Sequence, residues 1–278
     1  MPSVLYILVI YGREAAEAEA MRTLFAGRED LLRHLFIYDN SPSPHTPPQG
    51  VAHYVHDPSN GGLGRAYNTA CRYAEAEGYE WLLLLDQDTT FPPDAIDKYE
   101  SAIAAHPETD MIAPRHMVDG GKYLSPTHYR MKTSHLQDST LTGTVAFKDA
   151  CPINSGLLVS VKSFIKAGGY DEAVWLDFSD IRFIEKYRKH YDTFYVVPDL
   201  VCRQGYSGLD TDPEKVFRRF CIYLQCAAAY PRDSWTDTLA LTVTTLRPTL
   251  SHTIRQRTLR YLKAYLKMGL GGRGTSNH

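Results

Sequence analysis

The stretch Trp81-Leu82-Leu83-Leu84-Leu85-Asp86-Gln87-Asp88-Thr89-Thr90-Phe91 decides the fold class of this chain. Five apolar residues follow one another without a polar break, which predicts a strand buried on both faces in the middle of a parallel sheet. Two carboxylates, Asp86 and Asp88, come directly after that strand. In open α/β sheets ligands bind beyond the carboxyl ends of the strands, so both acids are expected to face a binding site.

Asp86 and Asp88 are one residue apart and would repel each other unless a cation lies between them. Mg²⁺ or Mn²⁺, which prefer oxygen ligands and often bind a substrate phosphate as well, suit such a pair. The same tripeptide is also compatible with a simple turn after a strand, with an aspartate side chain closing the turn. The buried strand before the pair favours the metal-binding interpretation.

Composition limits the function classes. The chain has 278 residues, a formal net charge of −2 and 44% hydrophobic residues, which is typical of a globular enzyme and gives no indication of nucleic-acid binding. Its five cysteines are scattered and odd in number, which favours a reducing, cytoplasmic compartment over a disulfide framework. The apolar run at residues 4–10 is followed by Gly12, Arg13 and Glu14 and predicts a first strand, neither a signal peptide nor a transmembrane helix.

Strands and helices are predicted to alternate along the first half of the chain, which indicates a parallel α/β sheet. The predicted strands are residues 4–11, 35–38, 51–56, 81–85 and 111–113, and the predicted helices are residues 14–25, 65–77 and 95–105. The second half is predicted to contain a polar loop or hairpin at 122–142, strands at 154–159 and 193–197, helices at 163–167 and 180–189, and a helical region from Pro213 to about Met268. Asp180 is placed to cap the helix at 180–189.

A candidate site for a nucleotide diphosphate lies among the same strand ends. Asp39 follows the second predicted strand, and a glycine loop, Asn60-Gly61-Gly62-Leu63-Gly64, opens the helix at 65–77. Glycines allow the backbone to approach a ligand closely, and a helix N-terminus favours anions. A dinucleotide fingerprint is not supported, because Tyr67 stands where its third glycine would be and the loop does not follow the first strand.

Six short segments, in order along residues 4–208, resemble an inverting family 2 glycosyltransferase of the GT-A fold, in its bacterial rhamnosyltransferase-like branch. The segments are Val9-Ile10-Tyr11 with Asp39-Asn40-Ser41, Asn60-x-Gly62-x-x-x-Ala66-x-Asn68, Leu84-Leu85-Asp86-Gln87-Asp88, Asn154-Ser155-Gly156, Gly168-Gly169-Tyr170-Asp171, and Trp175-Leu176-Asp177-Phe178-Ser179-Asp180. This resemblance implies a Rossmann-like mixed sheet flanked by helices, with a helical C-terminal appendage.

The resemblance also implies a role for each matching residue. Asp39 would accept from the imide of a uracil or thymine base, and the donor side would include Tyr11, Asn60, Gly62, Asn68 and Asp86. Asp88 and Asp86 would hold the metal, Asp180 would be the general base, and Asn154, Gly156, Trp175 and Asp177 would line the acceptor side. Direct displacement at the anomeric carbon requires a base that removes the acceptor proton, and a positioned carboxylate contributes roughly 10²–10⁴-fold to such a step.

Two positions depart from the family pattern. Arg182 stands two residues after the expected base, where the family often has an acidic residue. Gln204 stands where the family often has a histidine metal ligand, and its amide oxygen would bind a hard cation less strongly than a charged ligand.

The resemblance implies a transferase that moves a sugar from a UDP- or dTDP-sugar to a hydroxyl of a lipid-linked saccharide in bacterial cell-surface polysaccharide synthesis. Two alternatives stay open at this point. One is a haloacid-dehalogenase-like phosphatase with Asp86 as the nucleophile. The other is a catalytically degenerate protein that only binds sugar nucleotides, which the departures at Arg182 and Gln204 would allow.

The chain divides into a catalytic region at 1–208 and a helical region at 209–278. Residues 1–115 would bind the donor and residues 116–208 the acceptor. From Thr238 to the last residue there are seven Lys or Arg and no Asp or Glu. Arg260, Lys263 and Lys267 are predicted on one helical face, and Ile254, Tyr261, Leu262 and Tyr265 on another. Such a helix either docks on an anionic membrane, at the inner face of the cytoplasmic membrane, or packs on the protein with a solvated face.

Overall fold

The computed structural model describes residues 3–204 and 212–269. The strands are β1 (Val4–Ile10), β2 (Leu35–Asp39), β3 (His53–His56), β4 (Trp81–Asp86), β5 (Thr89–Thr90), β6 (Met111–Met117), β7 (Tyr123–Ser125), β8 (Tyr129–Arg130), β9 (Thr133–Ser134), β10 (Gly143–Ala146), β11 (Leu158–Ser160) and β12 (Thr193–Gln204). The α-helices are α1 (Glu19–Leu24), α2 (Gly62–Ala76), α3 (Ala95–Ala105), α4 (Val161–Lys166), α5 (Ser179–Tyr187), α6 (Pro213–Ala229), α7 (Trp235–Arg255) and α8 (Arg260–Gly269).

The predicted central strand lies in the middle of a mixed sheet. The strand order is β10-β12-β6-β11-β4-β1-β2-β3, with β5 beside β12 and β7 beside β6. Strand β4 runs parallel to β1 and antiparallel to β11, and residues 81–85 are all buried. The run of five apolar residues is therefore buried on both faces, as predicted. The parallel sheet predicted from the alternation of strands and helices is wrong, because β11 is antiparallel to β4, and the mixed α/β class implied by the resemblance is confirmed.

Helices cover both faces of the sheet. Helices α2, α4 and α5 bury Tyr67, Phe164 and Phe183 on one face, and α1 and α3 bury Leu24 and Ile96 on the other. Because both faces are covered, the strand ends are the part of the sheet that is left for a ligand.

Some local predictions were wrong. Residues 14–25 form a short 3₁₀ turn followed by α1 instead of one helix, because Ala18 is extended and the Glu19 N–H donates to the Gln87 carbonyl at 2.8 Å. The strand predicted at 154–159 is shorter and later, at β11, and the one predicted at 193–197 is longer, at β12. Strand β10 was not predicted, since residues 143–146 have no clear alternation.

The helical C-terminal region is confirmed for the residues that the structure describes, as three helices rather than one run. The predicted boundary at 208 and 209 lies outside those residues, as does Arg273. Helix α7 continues through Pro248, which has no N–H to donate to the Thr244 carbonyl. The Tyr223 hydroxyl of α6 donates to that carbonyl at 3.0 Å and so replaces the missing hydrogen bond.

Helix α8 packs on α6 with part of the surface that the membrane-docking interpretation would leave free. Tyr261 is fully buried and stacks on His252, with Phe217 in an edge-to-face contact at 5.1 Å. The Arg260 guanidinium lies 4.6 Å from the centre of the Phe217 ring and pairs with Glu214 at 2.5 Å. Within α8, the packing interpretation therefore holds for Arg260 and Tyr261. Among the helices described here, none is both long and apolar enough to cross a membrane.

Candidate active site

Carboxylates from neighbouring strands meet at one edge of the sheet. The register pairs Ile10 of β1 with Asp39 of β2, and Val9 of β1 with Asp86 of β4. Parallel strands in this register end at the same level, so the two acids lie on either side of the end of β1. Tyr11 follows the last residue of β1. Its side chain is half-exposed, and its backbone N–H donates to the Gln87 side chain at 2.9 Å.

Asp39 is fully buried and held as a carboxylate. Its Oδ1 accepts from the Ser41 N–H at 2.9 Å, and its Oδ2 accepts from the Tyr54 hydroxyl at 2.8 Å and from the His45 N–H at 3.0 Å. Burial alone would raise the pKa of Asp39, but these hydrogen bonds outweigh burial and lower that pKa to about 2. The Asp39 side chain is thus a fixed anion at the end of β2 that already accepts hydrogen bonds from neighbouring groups.

Asp57, which sequence reasoning missed, organises the glycine loop. It follows β3 and accepts from the Tyr38 hydroxyl at 3.0 Å, the Ser59 N–H at 3.0 Å and the Gly61 N–H at 3.1 Å. Burial would raise its pKa, but hydrogen bonds from Ser59 and Tyr38 lower that pKa to about 2. An aspartate four residues before a glycine pair is a turn signal that could have identified this residue.

The glycine loop rests on the backbone of residue 175. The Leu63 N–H donates to the Trp175 carbonyl at 2.8 Å, and Asn60 and Gly62 both have positive φ, at 51° and 82°. A Cβ atom at Gly62 would lie 2.1 Å from the Trp175 oxygen. The loop that was predicted to bind the donor is therefore in direct contact with the segment that was predicted to bind the acceptor.

We expect Gly62→Ala to destabilise the protein by about 3 kcal/mol or more, since it adds a backbone clash to the ~1–2 kcal/mol cost of a left-handed alanine. Gly78→Ala is a matched control, because Gly78 also has positive φ, at 74°, but a Cβ there would meet nothing within 4 Å. Denaturant unfolding of both variants measures the difference. Equal losses of stability would show that contact between the two loops contributes nothing.

Asn68 joins the same two segments. Its side-chain amide donates to the Tyr170 carbonyl at 3.1 Å and to Glu172 at 3.0 Å, and its oxygen accepts from the Tyr170 N–H at 2.8 Å. The amide that was predicted to line the nucleoside and phosphates is thus bonded within the protein. Its observed contacts position the loop at 170–172 against α2.

Asp86, Asp88 and Gln204 come together at the end of β4. The Gln204 Nε2 donates to the Asp88 Oδ1 at 3.3 Å, and the Asp86 Oδ1 accepts from the Tyr67 hydroxyl at 3.2 Å. Burial, the charge of Asp88 and the charge of Asp180 raise the pKa of Asp86 to about 7, against the effect of the Tyr67 hydrogen bond. This repulsion between carboxylates is what a bound cation would relieve.

The side chains present fit a divalent cation only in part. Within residues 3–204 and 212–269, no three His, Cys, Asp or Glu side chains are grouped so as to hold a metal ion. Gln204 offers a neutral metal ligand in addition. Its amide oxygen, Oε1, is buried without a hydrogen-bond partner among those residues and is therefore available to a cation. Two carboxylates and one amide oxygen leave most positions around a hard cation for other ligands, such as a diphosphate or water.

Asp180 lies in the first turn of α5 and does not cap it. The helix begins at Ser179 after Phe178, which has φ of 66°, and the Asp180 Oδ1 accepts from the adjacent Ile181 N–H at 2.8 Å. The capping prediction is therefore wrong. Burial, opposed by the Ile181 hydrogen bond and assisted by the charge of Asp177, raises the pKa of Asp180 to about 6. A carboxylate with this pKa is suited to accept a proton near neutral pH.

Two residues predicted on the acceptor side lie behind the site. Asn154 is buried, accepts from the Tyr170 hydroxyl at 2.5 Å and donates to the Ser179 hydroxyl at 3.3 Å. Gly156 is also buried, with its N–H bonded to the Leu84 carbonyl and its own carbonyl bonded to the Tyr99 hydroxyl. In these positions they support the start of α5 and the end of β4.

The other two, Trp175 and Asp177, lie on the segment before α5 and are half-buried. Both carboxylate oxygens of Asp177 accept from the guanidinium of Arg219, the Oδ1 from Nη2 at 2.6 Å. Arg219 belongs to α6, and sequence reasoning missed it because no local pattern links residues that are 42 positions apart. Helix α6 therefore fixes the segment that leads to Asp180.

Comparison with known proteins gives the chain's relationships. Residues 7–168 match the sequence profile described as Glycosyl transferase family 2. The dTDP-rhamnosyl transferase RfbF of Shigella flexneri is 26% identical over 147 residues, which are 51% of this chain and 48% of that protein. The aligned part is therefore about half the length of this curated relative.

Two solved structures share the fold. GalNAc-T7 with UDP, GalNAc and Mn²⁺ superposes with a TM-score of 0.54 at 11% identity, over 88% of this chain and 54% of that one. Staphylococcus aureus TarS 1–349 with UDP-GlcNAc superposes with a TM-score of 0.52 at 12% identity, over 95% of this chain and 73% of that one. At these identities the likeness concerns the fold, and it confirms the expected GT-A architecture.

Proposed function

The chain belongs to Glycosyl transferase family 2, and from this premise we propose that it is an inverting glycosyltransferase. It moves a sugar from a UDP- or dTDP-sugar to a hydroxyl of a saccharide acceptor. The observation that carries the proposal is the Asp180 carboxyl, whose pKa is raised to about 6, at the same strand edge as Asp86 and near enough to raise the pKa of Asp86. A base next to a donor site is what direct displacement requires.

We assign binding of the uracil or thymine ring of the sugar donor to Asp39. The rest of the sugar nucleotide would bind at the strand ends around Asp39. Asp39 stays ionised and can accept from an imide N–H if the incoming base replaces one of its present donors. Asn60 and Gly62 present the N-terminus of α2 to the diphosphate, since backbone N–H groups at a helix N-terminus favour anions. Tyr11, half-exposed at the end of β1, is placed to contact the nucleoside, and Asn68 supports this arrangement by holding the neighbouring loop.

Asp86 and Asp88, with Gln204, are the residues that would hold Mn²⁺ or Mg²⁺. When bound, the cation would act as a Lewis acid that offsets the negative charge of the departing nucleotide diphosphate. The Mn²⁺ and UDP in the GalNAc-T7 structure support a metal in proteins of this fold. Tyr67 orients Asp86 through its hydroxyl, and the Gln204 amide orients Asp88.

Asp180 would accept the proton of the attacking hydroxyl. The acceptor binds along the segment that begins at Trp175, where Asp177 is fixed by Arg219. RfbF, the rhamnosyl transferase relative, supports a saccharide substrate. We assign the protein to the cytoplasm or the inner face of the cytoplasmic membrane, with a lipid-linked acceptor in cell-surface polysaccharide synthesis.

The phosphatase alternative has less support than the transferase. The family match at residues 7–168 includes β4 and both acids. A protein that binds sugar nucleotides without transfer has the same donor side and differs only in the role of Asp180.

A thermal-shift panel of UDP, dTDP, GDP and ADP, each with and without Mn²⁺, tests the donor assignment. A ligand at 100 times its Kd stabilises the folded state by about 2.7 kcal/mol, which is a rise of roughly 5–10 °C in Tm for a chain of this size. We expect UDP or dTDP to give the largest rise and Mn²⁺ to increase it. A larger rise with GDP or ADP would contradict the assignment of Asp39 to a uracil or thymine base.

A further inference from the structure

The outer face of helix α7 is apolar and open to solvent. Trp235 is 76% exposed and Ile254 is 74% exposed, with Leu239, Val243 and Leu250 between them at 44–48%. Together with the half-buried Leu246 they recur every three or four residues and occupy roughly 100° of the helix circumference. We call these six residues the α7 stripe: Trp235, Leu239, Val243, Leu246, Leu250 and Ile254.

The inner face of α7 is the more polar one, which reverses the usual pattern of a surface helix. Thr245 and Thr249 are buried there, and their hydroxyls donate to the carbonyls of Leu241 and Thr245 at 2.6 and 2.7 Å. The hydroxyls of Thr245 and Thr249 are thus satisfied by the backbone of the helix itself. Large apolar side chains that could have packed inward point to solvent instead, which indicates that another surface covers them.

Helices α7 and α8 are basic in composition. Residues 238–269 contain six Lys or Arg and no Asp or Glu. Arg260 pairs with Glu214, whereas the other five form no ion pair with any residue in the described part of the chain. These five are exposed and lie on α7, on α8 and between them: Arg247, Arg255, Arg257, Lys263 and Lys267.

We propose that the α7 stripe docks the protein on an anionic bilayer surface, with exposed basic side chains of α7 and α8, among them Arg247 at the edge of the stripe, contacting lipid phosphates. An apolar helix face bordered by cations binds at the headgroup level of such membranes. A second copy of this chain fits less well, because two such faces would bring uncompensated cations together. The docking face lies on α7, not on the α8 face indicated by the sequence.

Docking would also orient the active site. The inner face of α7 contributes Leu241 to a cluster with Val174 and Phe178, which flank the segment at 175–177. The membrane-facing helix therefore shares a hydrophobic cluster with the residues on either side of the segment assigned to the acceptor. The inference goes beyond the proposed transfer reaction, since docking would persist in a protein that transfers no sugar.

Vesicle sedimentation tests the proposal with the full chain. We expect binding to phosphatidylcholine vesicles with about 30% phosphatidylglycerol, weak binding to phosphatidylcholine alone, and release at about 0.5 M salt. The variant Leu239→Gln/Val243→Gln/Leu250→Gln should bind at least about tenfold more weakly. The matched control is Leu136→Gln/Leu141→Gln/Ile165→Gln, which alters exposed aliphatic residues elsewhere and should bind like the wild type.

A second variant tests the charges. Arg247→Gln/Arg255→Gln/Lys263→Gln should lose the preference for phosphatidylglycerol and keep the Tm shift with UDP or dTDP. That nucleotide shift separates the two proposals, because it reports the donor site and not the docking face. Equal vesicle binding by the stripe variant and the wild type would overturn the docking proposal. So would no vesicle binding by the wild type, or a dimer in solution that the stripe variant abolishes.

Discussion

Asp180→Asn is expected to lower the rate of sugar transfer by roughly 10²–10⁴-fold and to leave donor affinity nearly unchanged. Asparagine keeps the size of the side chain and can still accept from the Ile181 N–H, but it loses the basicity that removes the acceptor proton. Donor contacts are assigned to other residues, so the Tm shift with nucleotide should persist. Single-turnover transfer at saturating donor, compared with nucleotide binding, measures both effects.

Asp177→Asn is the control for this result. Its charge helps to raise the pKa of Asp180, but both its oxygens are bonded to Arg219. Loss of the Asp177 charge, and with it the ion pair with Arg219, should weaken acceptor binding. It should lower the rate of the chemical step far less than Asp180→Asn does. If Asp177→Asn abolishes the chemical step and Asp180→Asn stays within a few-fold of the wild type, the base is Asp177. A wild type that binds nucleotide sugars and transfers to no saccharide would favour the binding-only alternative.

The pH dependence follows from the raised pKa of Asp180. A base acts only when it is deprotonated, so transfer should rise about tenfold per pH unit below about pH 6 and level off above it. In Asp180→Asn, the part of this rise in transfer rate that is due to deprotonation of Asp180 should be absent.

Stability gives an independent check of the same substitution. Because the folded pKa of Asp180 is above its ordinary value of 3.8, the stability that its protonated form contributes is present below about pH 4 and lost as pH rises through about 6. Asparagine does not titrate. The variant should therefore gain roughly 1–3 kcal/mol relative to the wild type between about pH 4 and pH 7.5. A helix cap would predict no such pH-dependent gain.

The positions of the carboxylates could be predicted from sequence because the carboxyl ends of parallel strands lie at one edge of the sheet, where ligands bind. Asp39 and Asp86 each follow a run of apolar residues, and parallel strands deliver their next residues to one edge. The contacts of Asn68 and Gly156 could not be predicted in the same way. A motif indicates that a residue is needed near the site, but it does not tell whether the side chain faces the ligand or a neighbouring loop.

The contributions of the C-terminal helices were also beyond sequence reasoning. Arg219 and the α7 stripe depend on which face of each helix packs inward, and in α7 six large apolar residues point outward while Thr245 and Thr249 point inward. A periodic apolar pattern predicts a face but not its partner. In α8 the apolar pattern included Tyr261 but did not tell whether this side chain contacts a membrane or the protein. In the structure Tyr261 is fully buried within the protein.

Asp88→Asn is expected to reduce transfer at least about 100-fold, because a bound metal supplies several kcal/mol of charge stabilisation to the departing diphosphate. Asp88 is exposed and, within residues 3–204 and 212–269, accepts one hydrogen bond from a side chain, that of Gln204, so the substitution should leave the fold intact. Its main effect should be on binding. The extra Tm shift that Mn²⁺ gives with UDP or dTDP should fall to the shift seen with nucleotide and chelator.

The neutral amide of Gln204 adds a further expectation to this test. Two carboxylates, one with a pKa raised to about 7, and one amide are a weak ligand set. Mn²⁺ alone should therefore shift the wild-type Tm little, and Mn²⁺ with nucleotide should shift it much more. Glu172→Gln, which alters an exposed carboxylate on the neighbouring loop, is the control and should keep the metal-dependent shift. Full transfer by the wild type in excess chelator would show that Asp86 and Asp88 serve the reaction without a metal.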